Sequence, residues 1–570
     1  ADAGGLSAAS AAAELRNSMV VIHPDDVLSL FDRQHAGAVG SPSHWTEFWK
    51  RLNAKLPITI LAVGSSLVAT HAGCTQKAPS ARGPACRNSP CGTMCGGSTH
   101  GWARQVLEWL NSTWPHPGHS LINLGEAGGS LVSALTTCPS TYLNFDVDLA
   151  LVDLTTTSVP DGERLLRLLL RRRGRPTLPL LTQFHPFVVE ERLWRPEKHR
   201  ATVGQPPPVS VTEVGGGDSC VDGQLSNRTK SDVAWDANRR PFLSALSACA
   251  DAGGHGALKS YISASTPVDA LGRCADSMGG TLLWWGKQTR GHRAVAEHYR
   301  LPVFTTLGAW ARAFERGDGN LSACSFTESD QGGDSMHPNR NEFSTRLIST
   351  PLIDLLKRGL HRAQNAAPPH PLPPPLQLAT ANPPALSRCY DFTADESPAH
   401  FGGMQGVRPQ GLRLTGWRHV EKERASDKYK PGLLATDAGA TLAFELDLAG
   451  FRSPRLELQH LASWRGVGRV GVSCSGGCSC GKERVVSGRS QLRHTKLETS
   501  TVPLVCGAAC DGGGPACAIE LRLLHELCVA DEARRRRLAA IPRGVRLVNR
   551  SCAEHRFKLV RALLHDEGAT

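Results

Sequence analysis

The stretch Ile58–Ser66, which reads Ile-Thr-Ile-Leu-Ala-Val-Gly-Ser-Ser, decides the fold of the first half of this chain. Its apolar residues run on without polar alternation, which is typical of a strand buried on both faces of a parallel sheet. Gly64 permits a tight turn after the strand, so Ser66 is predicted to lie at the carboxyl edge of the sheet. A serine in that position is a candidate nucleophile, although an ordinary Gly-Ser-Ser turn would explain the same residues.

Further apolar runs follow, and helical stretches separate them. The apolar runs cover 120–124, 147–154, 178–182 and 302–306, and the helical stretches include 101–110, 162–172 and 293–299. Continuous strands that alternate with helices predict a three-layer α/β/α domain with a parallel sheet. In such a domain, ligands bind beyond the carboxyl ends of the strands.

The pattern changes after a proline-rich stretch at 364–388, whose composition predicts a semi-rigid extended spacer. Beyond it, apolar and polar residues alternate in short runs, at 441–448, 455–460, 469–473 and 519–524. This alternation predicts a smaller β-sandwich domain. The predicted organisation is an N-terminal segment (1–50), an α/β domain (51–363) with an insertion (188–290), the linker (364–388) and a Cys-rich β-sandwich (389–570).

The 18 cysteines and four Asn-x-Ser/Thr sequons favour an oxidising compartment and disulfide bonds. The sequons predict glycosylation at Asn111, Asn227, Asn320 and Asn549. The short spacing of Cys474, Cys478 and Cys480 would also suit zinc, but no histidine stands beside them at finger-like spacing. Nine cysteines precede residue 380 and nine follow it, so full pairing requires a bond between the two halves; otherwise one thiol in each half stays free.

The ends and the charge of the chain add expectations about its location and partners. The chain begins at Ala1 with neither a methionine nor an apolar leader, which is compatible with a signal peptide or anchor removed earlier. From the cysteines and the sequons, we expect a secreted protein or one of the secretory-pathway lumen. No run of about 18 apolar residues is present, so no transmembrane segment is expected. The arginine runs within the net charge of +12 fit solvated helix faces, and we expect no nucleic-acid partner, metal or cofactor.

Two other segments carry candidate chemistry. The run 123–128 follows the second strand, where Gly128 would let a backbone N–H approach a developing oxyanion. Asp334 precedes His337 by three residues, in a loop that enters a predicted helix at 342–360. Its carboxylate would hold the imidazole in one tautomer. A helix N-cap beside a surface histidine would explain the same pair.

In their order and context, these blocks resemble the SGNH, or GDSL-type, hydrolase superfamily over roughly residues 55–360. The resemblance is strongest at Ile60–Gly73, Leu121–Ser130 and Asp334–Asn339. It implies a flavodoxin-like α/β/α fold. The layout with a proline-rich linker and a Cys-rich β domain looks like a group of secreted SGNH-like proteins found in algae.

The resemblance also implies roles for the matched residues. Ser66 would be the nucleophile, His337 its general base and Asp334 the residue that orients the imidazole. The N–H groups of Ser66 and Gly128 would stabilise the oxyanion.

Two positions depart from the family pattern. Ser65 stands between glycine and nucleophile, where the family has Asp, or Gly in the algal group. Thr157 stands where the family offers an asparagine as an oxyanion donor. A threonine hydroxyl could donate with different reach, and losing one such donor typically costs about 10²–10³ in rate.

Three functions are compatible with these residues. The first is an esterase that removes acyl groups, foremost acetyl, from a small molecule or an extracellular glycan. The second is an O-acyltransferase with the same triad, and the third is a non-catalytic glycan-binding protein, which Thr157 favours. Trp417 and Trp464 in the β domain would form a sugar-stacking platform or, as tryptophans more often do, pack in the core.

Overall fold

The computed structural model describes the chain over a set of separate segments. These are residues 37–71, 101–126, 132–139, 143, 145–172, 177–184, 291–306, 342–364, 371–376, 386–392, 409–422, 429–463, 467–488, 496–507, 510–512, 514–524 and 556–566. The predicted insertion 188–290 lies outside the described residues.

The first domain is built on a largely parallel sheet. Its strands are β1 (Gly37–Ala38), β2 (Thr59–Gly64), β3 (Ser120–Gly125), β4 (Leu149–Asp153), β5 (Leu178–Gln183) and β6 (Val303–Thr305). Within the described residues their order is β1-β6-β5-β4-β2-β3. All pairs are parallel except β1 with β6. Counted from the first parallel strand, this is the flavodoxin-like order 2-1-3-4-5, so the predicted fold is confirmed.

Helices cover both faces of this sheet. They are α1 (Pro42–Asn53), α2 (Ser66–His71), α3 (Trp102–Thr113), α4 (Val132–Thr137), α5 (Val159–Leu170), α6 (291–298) and α7 (Glu342–Ala363). The apolar sides of α1, α3 and α7 share one core with the sheet. Those of α4, α5 and α6 form a second core on the opposite face. Since both faces are buried, the strands carry the continuous apolar runs seen in the sequence.

Helix α1 corrects the predicted start of this domain at residue 51. Trp45, Phe48 and Leu52 are buried in the core that α1 shares with α7. The Trp45 indole N–H donates to the Val39 carbonyl at 2.8 Å. Residues 37–53 therefore belong to the α/β domain, because the buried face of α1 and the β1 pairing tie them to it.

The second domain is an antiparallel β-sandwich. Its strands are β7 (Ser387–Asp391), β8 (Gln410–Thr415), β9 (Trp417–Lys422), β10 (Tyr429–Ala435), β11 (Thr441–Leu446), β12 (Pro454–Ala462), β13 (Arg469–Gly476), β14 (Cys478–Ser479), β15 (Arg484–Ser487), β16 (Lys496–Pro503), β17 (Val505–Cys506), β18 (Cys517–Leu523) and β19 (Phe557–Asp566). One sheet has the order β16-β12-β19-β10-β9, with β7 also beside β19, and the other β15-β13-β18-β11-β8. Their inner faces share an apolar core, which confirms the predicted sandwich.

The described part of the proline-rich stretch contacts the α/β domain. Residues 371–376 contain no helix or strand. The buried Glu163 of α5 accepts the Leu376 N–H at 2.6 Å, and Arg167 donates to the Pro373 carbonyl at 3.0 Å. Tyr299 links these two side chains, donating to Glu163 at 2.6 Å and accepting from Arg167 at 2.7 Å. This part of the linker is thus docked on the α/β domain, because a buried polar group of that domain needs its backbone as a partner.

The two domains meet at β19, in the middle of its sheet. Every side chain from Phe557 to Leu564 is buried, on both faces of the strand. Leu563 and the neighbouring Cys389 belong to the core of the α/β domain. The Cys138–Cys389 disulfide crosses from α4 to β7, as full pairing of the cysteines requires.

Disulfides also settle the cysteine cluster of the sandwich. Bonds join Cys474 to Cys480, Cys478 to Cys517 and Cys506 to Cys510. The disulfide prediction is confirmed for these cysteines, and the zinc alternative is wrong because their sulfurs are bonded to one another. Among the described residues, no helix is both long and apolar enough to cross a membrane.

Removing the bond between the domains should destabilise the protein more than removing a local one. The Cys138–Cys389 bond spans 251 residues and the Cys474–Cys480 bond spans 6. Because the entropy that a cross-link removes from the unfolded chain grows with loop length, Cys138→Ala/Cys389→Ala should lose about 3 kcal/mol more than Cys474→Ala/Cys480→Ala. Guanidinium titrations of both double variants measure the two losses. Equal losses would contradict this account of the domain junction.

Candidate active site

Three strand ends meet at one edge of the parallel sheet. In register, Gly64 at the end of β2 lies beside Gly125 at the end of β3. On its other side β2 pairs with β4, where Val63 lies beside Val152 and Asp153 follows. The chain order reverses between β2 and β4, and in open α/β sheets such a point is where ligands bind.

Ser66 begins helix α2 just beyond β2, as predicted. Its side chain is half-buried, whereas that of the preceding Ser65 is buried. The Ser65 carbonyl accepts the N–H groups of Val68 and Ala69 at 3.0 and 2.9 Å, which holds the turn and the first helical residues together. Of the two adjacent serines, Ser66 is therefore the one open to a substrate.

A buried carboxylate on β4 anchors the turn that carries Ser66. Ser65 donates its hydroxyl to Asp153 Oδ2 at 2.8 Å, and its backbone N–H lies 3.4 Å from the same oxygen. The other oxygen, Oδ1, accepts the Thr155 N–H at 3.0 Å and the Thr155 hydroxyl. Burial raises the pKa of Asp153, against the opposite effect of these hydrogen bonds. Asp153 thus fixes the turn before Ser66 from a neighbouring strand, with hydrogen bonds to both of its oxygens.

Close packing binds β3 to the same turn. A Cβ at Gly125 would lie 2.1 Å from the backbone nitrogen of Ala69 in α2, so only glycine fits there. The buried Asn123 donates to the Val68 carbonyl at 2.9 Å and accepts the Gly125 N–H at 2.9 Å. Beyond the strand, the Glu126 N–H donates to the Gly64 carbonyl at 2.9 Å. The end of β3 and Glu126 therefore lie directly against the turn that carries Ser66.

Thr157 lies on the turn between β4 and α5. It is buried, and its backbone N–H donates to the Leu154 carbonyl at 3.0 Å. The next residue, Ser158, caps α5 by accepting the Asp161 N–H at 3.2 Å. Thr157 thus lies at the carboxyl edge of β4, the strand next to β2.

Three of the predicted site residues belong to segments that the structure does not describe. Gly128, Asp334 and His337 lie outside the described residues. The helix predicted after His337 is present as α7, which begins at Glu342. The structure brings Ser66 and Thr157 to neighbouring strand ends, and the catalytic roles of all five residues stay predictions.

The other sequence candidates are placed as follows. Asn111 lies in the last turn of α3 and is half-exposed. Asn227, Asn320, Asn549 and Trp464 lie outside the described residues. Trp417 is buried in the sandwich core with its ring against Phe557, so core packing is confirmed there and a sugar platform on it is wrong. Within the described ranges, no group of three or more His, Cys, Asp or Glu side chains could hold a metal ion.

Sequence reasoning missed Asp153, Glu126 and Arg561 as parts of this site. Each of these charged residues lies inside or directly after an apolar run of the sequence. Because a charge is rarely buried without a partner, this pattern could have indicated a buried ion pair. Arg561 interrupts the run Phe557–Leu564 in this way, and its Nη2 lies 2.7 Å from Glu126 Oε1.

Comparison with known proteins gives similarity at the level of structure alone. No protein-family model matches the chain, and no curated protein matches it. Among solved structures, the chain is similar to a two-domain esterase (CEX) active on acetylated mannans, at 12% identity with a TM-score of 0.47, covering 94% of this chain and 100% of that one. It is also similar to the C-terminal CBM6 of LamC, a marine laminarinase from Zobellia galactanivorans, at 8% identity with a TM-score of 0.17, covering 32% of this chain and 100% of that one. At these identities and TM-scores, neither likeness carries an argument about what this chain does.

The raised pKa of Asp153 predicts how stability depends on pH. A carboxyl whose folded-state pKa lies above its ordinary 3.8 contributes stability below that pH and loses it as the pH rises through the folded-state pKa. The free energy of unfolding of the wild type minus that of Asp153→Asn should therefore fall as the pH rises from below 3.8, and then level off. Urea titrations across this range measure the difference. A difference that stays flat or grows with pH would refute the assignment.

Proposed function

We propose that the chain is a serine esterase of the SGNH type that hydrolyses acyl esters, foremost acetyl esters, on an extracellular glycan. The observation that supports it most is the half-buried Ser66 on a tight turn at the switch point of the sheet, with its neighbour Ser65 anchored to Asp153. Such a turn presents a hydroxyl at the edge where ligands bind while the backbone around it stays rigid.

The proposed reaction has two steps. His337 takes the proton of Ser66 as its oxygen attacks the ester carbonyl, and then gives that proton to the departing sugar hydroxyl. Asp334 orients His337 and stabilises its charged form. Water, deprotonated by His337, then attacks the acyl-enzyme and releases the acid, which restores the Ser66 hydroxyl.

The oxyanion of both steps is held by hydrogen-bond donors at the same edge. The N–H groups of Ser66 and Gly128 supply two of them, and the Thr157 hydroxyl is proposed as the third. The position of Thr157 on the turn after β4, beside the strand that carries Ser66, supports this role.

The glycan and the extracellular location are supported by the second domain. Four disulfides among the described residues fit an oxidising compartment. The β-sandwich is docked on the α/β domain through β19 and the Cys138–Cys389 bond, and its proposed role is to hold the glycan near the sheet edge.

Two other functions use the same residues. An O-acyltransferase would pass the acyl group from Ser66 to a sugar hydroxyl instead of water. A glycan-binding protein on an inactive hydrolase fold would need no triad, and Thr157 in place of an asparagine is the residue that favours it. Turnover of an aryl acetate in water alone, compared with transfer to added sugar, separates the two enzymes.

Labelling with a fluorophosphonate probe tests the nucleophile. We expect a covalent adduct on Ser66, no adduct in Ser66→Ala, and an adduct still on Ser66 in Ser65→Ala, because Ser65 binds Asp153 and does not face substrate. Aryl acetate turnover should fall about 10⁴–10⁶-fold in Ser66→Ala, and labelling should slow sharply in His337→Ala. Mass spectrometry of the labelled peptide locates the adduct. An unlabelled Ser66 in folded protein, beside a labelled control hydrolase, would count against both enzymatic functions.

The Thr157 hydroxyl is tested with a matched pair of variants. Thr157→Val keeps the shape of the side chain and removes the donor, so kcat for an aryl acetate should fall about 10²-fold. Thr157→Ser keeps the hydroxyl and should lose far less. If the valine variant turns over as fast as the wild type, threonine is not the third donor.

A further inference from the structure

A buried cation from the sandwich domain reaches the proposed hydrolase site. The Arg561 side chain of β19 is fully buried, with 0% of its surface exposed. Its Nη2 lies 2.7 Å from Oε1 of Glu126, the residue that follows β3 in the other domain. Within its own domain, Nε lies 3.4 Å from Asp391 Oδ2 and Nη1 donates to Gln459 at 3.3 Å.

A β-bulge aims Arg561 at the α/β domain. Leu559 pairs with His460, and the next paired residue on β19 is Arg561, so Val560 is the extra residue. Before the bulge the odd-numbered Leu559 faces the sandwich core, whereas after it the even-numbered Ala562 does. The bulge therefore turns Arg561 away from the sandwich core, a re-aiming for which such bulges are known.

Glu126 has a special position in the α/β domain. Its backbone N–H donates to the Gly64 carbonyl at 2.9 Å, one residue before the Ser65–Ser66 turn. Its carboxylate is buried, and its second oxygen, Oε2, has no hydrogen-bond partner among the described residues. Without the guanidinium, a buried unpaired carboxylate would be costly, so the Glu126 side chain would shift towards solvent. The Glu126 backbone, whose N–H bonds the Gly64 carbonyl, would then shift with it.

We propose that Arg561 is a positioning residue for catalysis, which holds the Glu126 backbone against the nucleophile turn from the second domain. The inference rests on the proposed esterase function. The Gly64 carbonyl, which accepts the Glu126 N–H, lies two residues before Ser66, whose own N–H is a proposed oxyanion donor. A shift of Glu126 would therefore displace a hydrogen-bond donor that stabilises the transition state. In this proposal, the β-sandwich helps to hold the hydrolase site in place through Arg561.

A matched variant elsewhere in the same sheet separates positioning from general stability. Arg51 lies 2.7 Å from Asp148, which is buried and also accepts the Thr59 N–H at 2.7 Å. Thr59 begins β2, so this ion pair lies at the opposite edge of the sheet from Ser66. Arg51→Met removes the cation that pairs with a buried carboxylate, away from the site, although the Arg51 side chain is 23% exposed and that of Arg561 is fully buried.

The experiment compares Arg561→Met with Arg51→Met in the full-length protein. With aryl acetate as substrate, we expect kcat to fall about 10–10²-fold in Arg561→Met with KM nearly unchanged, because a small misplacement of transition-state donors has that effect. Arg51→Met should lower the melting temperature while kcat stays within about twofold of wild type. Glu126→Gln should lower kcat like Arg561→Met, and the double variant should lose no more than either alone, since both changes break one interaction.

Hydrogen exchange provides a readout that does not depend on activity. The Glu126 amide should exchange faster in Arg561→Met and not in Arg51→Met, because only the first variant frees the segment bonded to Gly64. Equal effects of the two variants on kcat, or an unchanged kcat in Arg561→Met, would overturn the positioning role. If the wild type neither turns over aryl acetates nor labels at Ser66, the proposed function fails, and exchange of the Glu126 amide still decides whether Arg561 holds this segment.

Discussion

The parallel pairing of β2 with β3 on one side and β4 on the other is the constraint from which the rest of the site follows. It brings Gly64, Gly125 and Asp153 to one level of the sheet edge. At this level a side chain on one strand end can fix the turn on the next, as Asp153 does for Ser65. Ser65 donates its hydroxyl to a carboxylate that comes from the neighbouring strand, which fixes the turn before Ser66.

The second domain completes this arrangement from outside the sheet. Burying a guanidinium is costly unless carboxylates and hydrogen-bond acceptors surround it. Arg561 finds one carboxylate in each domain, so the pairing is satisfied only when the domains are docked. The Cys138–Cys389 bond ties α4 to β7 at the same junction. The geometry of this sheet edge is therefore coupled to the fold of the β-sandwich.

The sequence predicted the elements that depend on local pattern and missed those that depend on contacts between distant segments. The run Ile58–Val63 is apolar because both faces of the sheet are covered, so periodicity predicted it correctly. Strand β19 was missed because it is buried on both faces and carries a bulge, which breaks the alternation expected of a sandwich strand. The contact of Glu126 was missed for another reason: its partner, Arg561, lies 435 positions away in the chain. A crossing disulfide was one of the two alternatives that the cysteine count left open, and its partners depended on the docking of the two domains.

The most direct test of the account is the distance between Ser66 Oγ and His337 Nε2 in a crystal structure of the protein. The account predicts about 2.6–3.2 Å, with the Asp334 carboxylate hydrogen-bonded to the other ring nitrogen of His337. An imidazole far from Ser66, with no loop movement able to close the gap, would contradict the triad and with it the esterase function.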